Sequence, residues 1–315
     1  MSGPAVPPSP HRTRVAFVGA TGRSGSTLLS RVLGSLPGVV SVGELLWIWT
    51  YGVLRDRPCG CGQPFSQCPF WIEVGDRAFG GWDHVDPERA NDQRRRLTRN
   101  SQVPRLLAGR RLPADVDEYV QRLDRLYAAV SATAGGAVVV DNSKQAAAAL
   151  LARRAPGVDL SVVHLVRRSH GVAYSWTKHV ERADKGGRDM RRRSPARTAT
   201  RWVLDNALFE LLGRTGTPRA LVRYEDFVAA PQVQTEMLAR FLDLQVPPEQ
   251  MPFPRPDAVE LAADHSVWGN PMRLRTGVET LRPDDAWRVS LSAADRRTVT
   301  AVSLPGLLRY GYLRG

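Results

Sequence analysis

Short apolar runs, each bounded by turn residues, recur along this chain of 315 residues. Five of them have the length and composition of buried strands: RVAFVGA from Arg14, GVVSVG from Gly38, AVVVDNS from Ala137, SVVHLVR from Ser161 and RALVRYEDF from Arg219. A segment of helical character follows each run, and this alternation is typical of a parallel sheet with helices on both faces. The pattern therefore predicts an α/β fold of three layers.

The chain between the second and third predicted strands departs from this alternation. Residues 50–113 contain several prolines, two tryptophans, all three cysteines and an arginine-rich segment, and we interpret them as an insertion that shapes a pocket. An amphipathic helix follows, because apolar residues at helical spacing form one stripe that predicts core packing. Its members are Val116, Tyr119, Val120, Leu123, Leu126, Tyr127 and Val130.

The ends and the hydropathy of the chain limit the class of protein. Residues 1–13 are proline-rich and lack the apolar core of a signal peptide, which predicts a disordered tail before a single domain over 14–315. No stretch approaches the roughly 18 apolar residues of a membrane span. We therefore predict a cytoplasmic protein with no membrane span.

The chain is strongly basic, with a formal net charge of +13, and its positive charge is almost all arginine. Arginine is suited to bidentate contact with phosphate or sulfate. Much of the excess lies in QRRRLTR from Gln93 and DMRRRSPAR from Asp189, which are typical of solvated faces and loops. An anionic small molecule explains the remainder as well as nucleic acid does. We predict no nucleic-acid partner and keep a basic nucleic-acid binder as an alternative.

The turn after the first predicted strand, GATGRSGSTLL from Gly19, is compatible with three kinds of phosphate site. A Walker-type loop requires a lysine where this chain has Ser26, and a glycine where it has Ala20. A dinucleotide-binding turn explains more, because Gly19, Gly22 and Gly25 have the spacing found in short-chain dehydrogenases and Glu44 follows at the distance of a ribose-binding acid.

The dehydrogenase alternative has further support and further problems. Tyr174 and Lys178 have the spacing of that family's catalytic pair, with Ser161 thirteen residues before Tyr174. Ser161, however, begins its predicted strand, whereas the dehydrogenase serine ends one. Because the spacing of Tyr174 and Lys178 still fits, an NAD(P)-binding enzyme of this kind remains the main alternative.

The third possibility uses every polar residue of the turn, since GRSGSTLL resembles the 5′-phosphosulfate loop of sulfotransferases that use 3′-phosphoadenosine 5′-phosphosulfate (PAPS). The resemblance implies that the backbone amides of Ser24, Gly25, Ser26, Thr27 and Leu28 face the 5′-phosphate at a helix N-terminus. The hydroxyls of Ser26 and Thr27 would add hydrogen-bond donors. Arg23 would supply the positive charge that a Walker lysine supplies elsewhere.

Motifs further along the chain match the same family, in the order that it requires. The family binds the 3′-phosphate with an arginine and a serine eight residues apart, which here are Arg167 and Ser175. The neighbouring Arg168 stands where the family usually has an acid, so the choice between the two arginines stays open. VVVDNSK would bring Lys144 to the cleft, RYEDF would place Tyr224 near the nucleotide, and SVWGNPMR would close over it with Arg273.

The resemblance implies a P-loop-like fold and transfer of a sulfuryl group from PAPS, without a metal, to a small-molecule, glycan or lipid acceptor. Arg23 and Lys144 would stabilise the charge that grows on the bridging oxygen. SVGELLW resembles the Gly-Glu of the tyrosylprotein and Golgi-like branches, so Glu44 would be the general base. His265 is the alternative base, and the sequence does not indicate the oligomeric state.

The three cysteines, in RPCGCGQPFSQCPFW, present a separate problem. A metal site needs a fourth ligand, and none is spaced convincingly, because His84 is distant. We therefore predict a compact thiol-rich loop beside the acceptor pocket and no bound metal, with zinc as the alternative. Aromatic residues nearby are candidates for the acceptor site or for ordinary core packing: Trp47, Trp49, Tyr51, Phe70 and Trp71.

Overall fold

The computed structural model describes residues 12–109, 112–178, 181–182, 188–189 and 192–313. A parallel sheet of five strands forms the centre of the fold, in the order β2-β3-β1-β4-β7. Two antiparallel pairs, β5 with β6 and β8 with β9, lie outside it. The strands are β1 (Thr13–Ala20), β2 (Val39–Ser41), β3 (Val138–Asp141), β4 (Val158–Val166), β5 (Glu181–Arg182), β6 (Arg188–Asp189), β7 (Arg219–Arg223), β8 (Ala258–Leu261) and β9 (Gly277–Thr280).

Helices cover both faces of the sheet and complete the three layers. They are α1 (Ser26–Gly34), α2 (Pro69–Phe79), α3 (Pro87–Leu97), α4 (Val103–Ala108), α5 (Val116–Thr133), α6 (Ala146–Arg153), α7 (Ser169–Thr177), α8 (Pro195–Gly213), α9 (Tyr224–Ala229), α10 (Pro231–Phe241), α11 (Trp287–Ser290) and α12 (Ala293–Arg309). Among the residues that the structure describes, no helix is both long and apolar enough to cross a bilayer.

The five apolar runs of the sequence are the five strands of the parallel sheet, so the predicted fold class is confirmed. Side chains of β1 alternate between two cores, as the period of a strand requires. Val15 and Phe17 pack into the core on the α5 side, whereas Ala16 and Val18 pack into the core on the α1 side. Both faces of the central strand are therefore buried, which explains why its run is continuously apolar.

The strand order distinguishes this fold from the dinucleotide-binding fold that the dehydrogenase alternative requires. In the dinucleotide-binding fold β1 lies between the second and fourth strands. Here β1 lies between β3 and β4, and β2 is at the edge of the sheet. The first glycine of the proposed dinucleotide turn, Gly19, is moreover inside β1, where a Cβ would lie 2.3 Å from the Phe209 ring.

The segment between β2 and α5 is built mainly from short helices and turns. Its buried aromatic residues, among them Trp49 and Trp71, belong to the same core as Phe17 and the α5 stripe. In that stripe Leu123 is partly buried and the other predicted residues are buried. The predicted tail falls mostly on residues 1–11, which lie outside the described residues, and strand β1 already begins at Thr13.

Candidate active site

The carboxyl ends of the parallel strands open into a cleft of about 670 Å³. In open α/β sheets ligands bind at this edge, because loops that follow neighbouring strands converge there. The cleft is lined by every site residue expected from the sequence except Ser24 and Arg273. These lining residues are Arg23, Gly25, Ser26, Thr27, Leu28, Glu44, Lys144, Arg167, Ser175 and Tyr224.

The turn between β1 and α1, which we call the phosphate loop (residues 20–28), adopts a backbone that few residues tolerate. Gly25 has φ 89° and immediately precedes α1, and Arg23 has φ 76°. A Cβ at Gly25 would lie 2.5 Å from the Tyr224 ring, so only glycine fits at this position. The N-terminus of α1 consequently faces the cleft, where its first amides have no intrahelical acceptor.

Hydrogen bonds connect the phosphate loop to the second predicted anion site. The Nε of Arg23 donates to the Oγ of Ser175 at 3.0 Å. Arg167 donates through NH1 to the backbone carbonyl of Arg23 at 3.1 Å. The residues that the sequence assigned to the two ends of one nucleotide are therefore direct neighbours in the fold.

The structure distinguishes the two adjacent arginines at the end of β4. The Arg167 guanidinium lies 4.7 Å from the centre of the Tyr224 ring and lines the cleft. Arg168 packs instead over the rings of Trp287 and Tyr312, away from the lining residues. Arg167 is thus the arginine that can meet a ligand in the cleft.

An acidic residue already occupies part of the Arg167 guanidinium. The NH2 of Arg167 donates to the Oδ2 of Asp284 at 2.8 Å, and the Nζ of Lys178 lies 3.6 Å from the same oxygen. Partial burial raises the pKa of Asp284, but the hydrogen bond and the charge of Arg167, with the charge of Lys178, outweigh that effect and lower it. Two cations that hold one carboxylate in this way mark a place suited to an anion.

The predicted base and the predicted lysine form an ion pair in the cleft. The Nζ of Lys144 lies 2.6 Å from the Oε1 of Glu44, and both side chains are largely buried. Lys144 has φ 64°, so two of the four non-glycine residues with positive φ in the described structure are the cations assigned to catalysis. Such strained backbone is concentrated at functional sites, where the surrounding fold maintains it.

A buried hydrogen-bond chain supports both members of this pair. The hydroxyl of Tyr127 donates to Oδ2 of Asp141 at 2.7 Å, and Asp141 accepts from the backbone and side chain of Ser143. The amide of Leu46 donates to the Oγ of Ser143 at 2.9 Å. Burial raises the pKa of Asp141 to about 6, although the bonds from Ser143 and Tyr127 oppose that rise. This series of hydrogen bonds connects the turn before Lys144 to the turn after Glu44.

One loop, residues 262–275, covers the phosphate loop, and we call it the closing loop. Arg31 of α1 holds it by donating to the carbonyls of Ala262, Met272 and Arg275. The amide of Glu44 donates to the carbonyl of Trp268 at 2.9 Å. No sequence motif points to Arg31, and its only signal in the sequence is a charge within the apolar stretch of α1.

Arg273 and Ser24 are placed differently from the rest of the predicted site. The Arg273 side chain is fully buried, and its NH1 donates to the carbonyl of Ser266 at 3.1 Å. Arg273 therefore supports the closing loop from its buried side. A direct contact between Arg273 and a nucleotide stays a prediction. Ser24 is also buried, and its hydroxyl has no hydrogen-bond partner among the described residues.

Aromatic and charged residues outside the phosphate-site motifs complete the lining of the cleft. Trp176 donates from its indole to the carbonyl of Gly22 at 3.1 Å, and thereby packs against the phosphate loop. Trp47, one of the candidate aromatics, lines the cleft beneath the Arg94 guanidinium, 4.2 Å from its ring centre. Arg193, Arg201 and Asp205 extend the lining toward α8.

Two largely buried histidines, His164 and His265, lie outside the cleft lining. His164 is fully buried in β4 and hydrogen-bonds to Asn206 at 2.9 Å, so it is a core residue. Burial lowers its pKa to about 4. His265, the alternative base, lies among the cysteines, with its Nδ1 at 3.7 Å from Cys59 and 3.5 Å from Cys68. Its ring stacks on Phe70, so Glu44 is the better candidate base.

Comparison with solved structures identifies proteins with the same fold. The sulfotransferase domain from the Synechococcus PCC 7002 olefin synthase is 21% identical, with a TM-score of 0.52 over 94% of this chain and 96% of that one. The sulfotransferase domain from the curacin biosynthetic pathway is 17% identical, with a TM-score of 0.52 over 93% and 98%. No family model matches the chain, and neither does any curated protein. The chain therefore has the fold of these sulfotransferase domains over nearly its whole length.

Proposed function

We propose that this protein is a sulfotransferase that uses PAPS as its sulfuryl donor. The observation that carries the proposal is the direct contact between the phosphate loop and the Arg167–Ser175 pair, at the strand edge where ligands bind in this fold class. Similarity of fold to sulfotransferase domains supports it independently.

The cleft suits a nucleotide that has a phosphate at each end. The α1 amides and the orphaned Ser24 hydroxyl would hold the 5′-phosphosulfate, because a helix N-terminus attracts anions. Arg167, Ser175 and Lys178 would hold the 3′-phosphate, and Asp284 now occupies that place with its carboxylate. Tyr224 lies between the two sites and offers a ring face.

In the proposed reaction the donor supplies a sulfuryl group on its 5′-phosphate, and the enzyme's residues manage charge and a proton. Glu44 accepts the proton of the acceptor hydroxyl as the acceptor oxygen bonds to sulfur. The bond from sulfur to the bridging oxygen breaks, and Lys144 and Arg23 stabilise the charge left on that oxygen. The ion pair with Lys144 holds both groups in place beside the cleft.

The acceptor would enter from the side of the cleft that Trp47 and Trp268 line. Trp268 is stabilised by a stacked Tyr51, with ring centres 3.5 Å apart. Apolar walls beside a base and a lysine suit a small molecule or the end of a glycan or lipid. The glutamate base and the order of motifs favour a bacterial enzyme that resembles the tyrosylprotein and Golgi-like branches.

Ligand selectivity tests the donor assignment. We expect thermal-shift and calorimetric measurements to show strong binding of 3′,5′-ADP and binding of 5′-AMP that is weaker by about 100-fold, since a charged hydrogen-bonded contact contributes about 1.5–3 kcal/mol. NADP(H) and a DNA duplex at moderate salt are the competing ligands. Preferential binding of either one would contradict the proposal.

The adjacent arginines provide a matched pair of variants. Arg167→Ala should abolish the preference for 3′,5′-ADP over 5′-AMP, because it removes the guanidinium that faces the cleft. Arg168→Ala, whose side chain packs over Trp287 and Tyr312, should retain that preference. Equal behaviour of the two variants would reject Arg167 as the 3′-phosphate ligand. Labelled PAPS offered to an extract of the source organism would then identify the acceptor.

A further inference from the structure

Three cysteines of the insertion meet a histidine that follows them by almost two hundred positions in the chain. The four ligand atoms of Cys59, Cys61, Cys68 and His265, which we call the cysteine–histidine cluster, all lie within 4.8 Å of one another. Sulfur of Cys68 is 3.7 Å from those of Cys59 and Cys61. The sequence predicted no metal because no fourth ligand was evident nearby, and the fold supplies one.

These distances match the edges of one tetrahedron. With Zn–S of about 2.3 Å and Zn–N of about 2.0–2.1 Å, tetrahedral zinc requires edges of roughly 3.8 Å between sulfurs and roughly 3.6 Å between sulfur and nitrogen. The corresponding sulfur–nitrogen distances here are 3.7 Å for Cys59 and 3.5 Å for Cys68. Three thiolates and one imidazole in a tetrahedral arrangement are a ligand set of structural zinc sites. We infer that the cysteine–histidine cluster binds a single zinc ion.

The local backbone is shaped to hold the ligands together. The amide of Cys59 donates to the carbonyl of Gln63 at 2.8 Å, and that of Gly62, with φ 90°, donates to Cys59 at 2.9 Å. Gly60 lies directly on the closing loop, since a Cβ there would be 2.1 Å from Oδ1 of Asp264. Its amide donates to the carbonyl of Ser266 at 3.0 Å. Glycine between the first two cysteines therefore allows His265 to approach.

Neighbouring aromatic residues orient the histidine toward the sulfurs. Phe70 stacks on the His265 ring with centres 4.3 Å apart, and Trp71 donates from its indole to the His265 carbonyl at 3.1 Å. Supporting contacts of this kind fix the ring orientation of a metal ligand. Nδ1 is consequently the ring nitrogen that faces Cys59 and Cys68.

The zinc is structural in this arrangement. All four coordination positions are taken by protein side chains, whereas a catalytic zinc keeps one position for water or substrate. Cys59 and Cys68 are fully buried, and the cluster lies outside the residues that line the cleft. The ion would join the insertion to the closing loop, which also carries the Trp268 carbonyl that accepts from Glu44. Metal binding would thus stabilise the fold and help to position the proposed base.

Metal content of the full-length protein tests the inference. After expression with added zinc, elemental analysis should find about one zinc per chain, and replacement by cobalt should give the intense visible bands of a tetrahedral thiolate site. Removal of the metal with a strong chelator should lower Tm by several degrees. Protein with less than about a tenth of a zinc per chain and no cobalt spectrum would overturn the inference, as would a disulfide between two of these cysteines in protein purified without oxygen.

Variants separate the ligands from other nearby residues. Cys59→Ser and His265→Ala should each lose most of the metal, and His265→Cys should retain it with a shifted cobalt spectrum. His84→Ala is the matched control, because His84 is an exposed histidine of the same insertion and should keep full occupancy. If a ligand variant does not fold, the metal content of the unaltered chain decides. Full zinc in a folded His265→Ala protein would exclude His265 as a ligand.

Discussion

The cleft and the cysteine–histidine cluster are built from the same closing loop but in opposite ways. In the cleft, charged groups remain available to a ligand, and short motifs at the ends of β1, β3 and β4 supply most of them. In the cluster, four donor atoms face one another and close the site off. A catalytic site needs open, preorganised charges, whereas a structural metal site needs complete coordination.

The closing loop connects these two regions over a few residues. His265 belongs to the cluster, and the Trp268 carbonyl accepts from Glu44 in the cleft. The dependence between the two regions therefore has a direction. Loss of the metal should affect the cleft through the loop, but loss of a cleft side chain should leave the metal in place.

The largest expected effect is that of Glu44→Gln on turnover. Loss of the general base should lower kcat by about 10³-fold, within the range for positioned proton transfer, while 3′,5′-ADP still binds. Sulfuryl transfer from labelled PAPS and calorimetry measure the two quantities. Glu260→Gln, at an exposed glutamate, is the control and should be fully active. Retained turnover in Glu44→Gln would reject this base, and loss of zinc in that variant would contradict the expected one-way dependence of the cleft on the metal.

Gly25→Ala should weaken 3′,5′-ADP binding by about 10-fold or more, because a Cβ would both strain the positive φ and meet the Tyr224 ring. Gly38→Ala is a matched control, since Gly38 also has positive φ but a Cβ there meets nothing within 4 Å. Calorimetry should show unchanged nucleotide affinity for the control. Equal loss in both variants would mean that the Tyr224 contact does not shape the phosphate loop.

Tyr127→Phe should reduce the free energy of unfolding by about 2 kcal/mol at pH 8 and by less than about 1 kcal/mol at pH 5. The pKa of Asp141 is raised to about 6, so stability from this group is greatest at low pH and falls as pH rises through about 6. Without the Tyr127 donor the ionised carboxylate is less stabilised, which enlarges the cost at high pH. Urea unfolding at the two pH values measures the change in free energy of unfolding.

Tyr119→Phe is the control for this measurement, because Tyr119 is a second buried tyrosine of α5. Removal of the Tyr119 hydroxyl should not reproduce the larger loss in free energy of unfolding that Tyr127→Phe causes at pH 8 than at pH 5. A cost of Tyr127→Phe that is the same at both pH values would show that Asp141 does not change its protonation state between pH 5 and pH 8 in the folded protein.

The smallest expected effect is that of Asp284→Asn. Removing the carboxylate beside Arg167 and Lys178 should strengthen 3′,5′-ADP binding by about 3-fold and leave 5′-AMP binding unchanged, since only the 3′-phosphate competes for that place. Asp285→Asn, next in the chain and paired with Arg288, is the control. Weaker binding in Asp284→Asn would mean that the carboxylate positions Arg167 instead of competing with the ligand.

The resemblance to sulfotransferases singled out Arg23, Lys144 and the adjacent pair Arg167 and Arg168. Local patterns in the sequence were sufficient to predict the five strands and the glycine turn before α1. Each depends on neighbours within a few positions, since a strand end, a glycine turn and a helix start follow from short-range sterics and periodicity. The choice between Arg167 and Arg168 was beyond such reasoning, because it depends on which side of β4 each side chain leaves.

Only the tertiary structure brought His265 to the cysteines, Asp284 to Arg167 and Arg31 to the closing loop. These contacts join segments that are far apart in the chain, and nothing in the intervening residues encodes the separation. Their physical cause is the packing of the insertion and the closing loop against the same sheet edge, a property of the whole fold. The chain by itself determined what chemistry its strand ends carry, and the packed fold decided which distant groups complete each site.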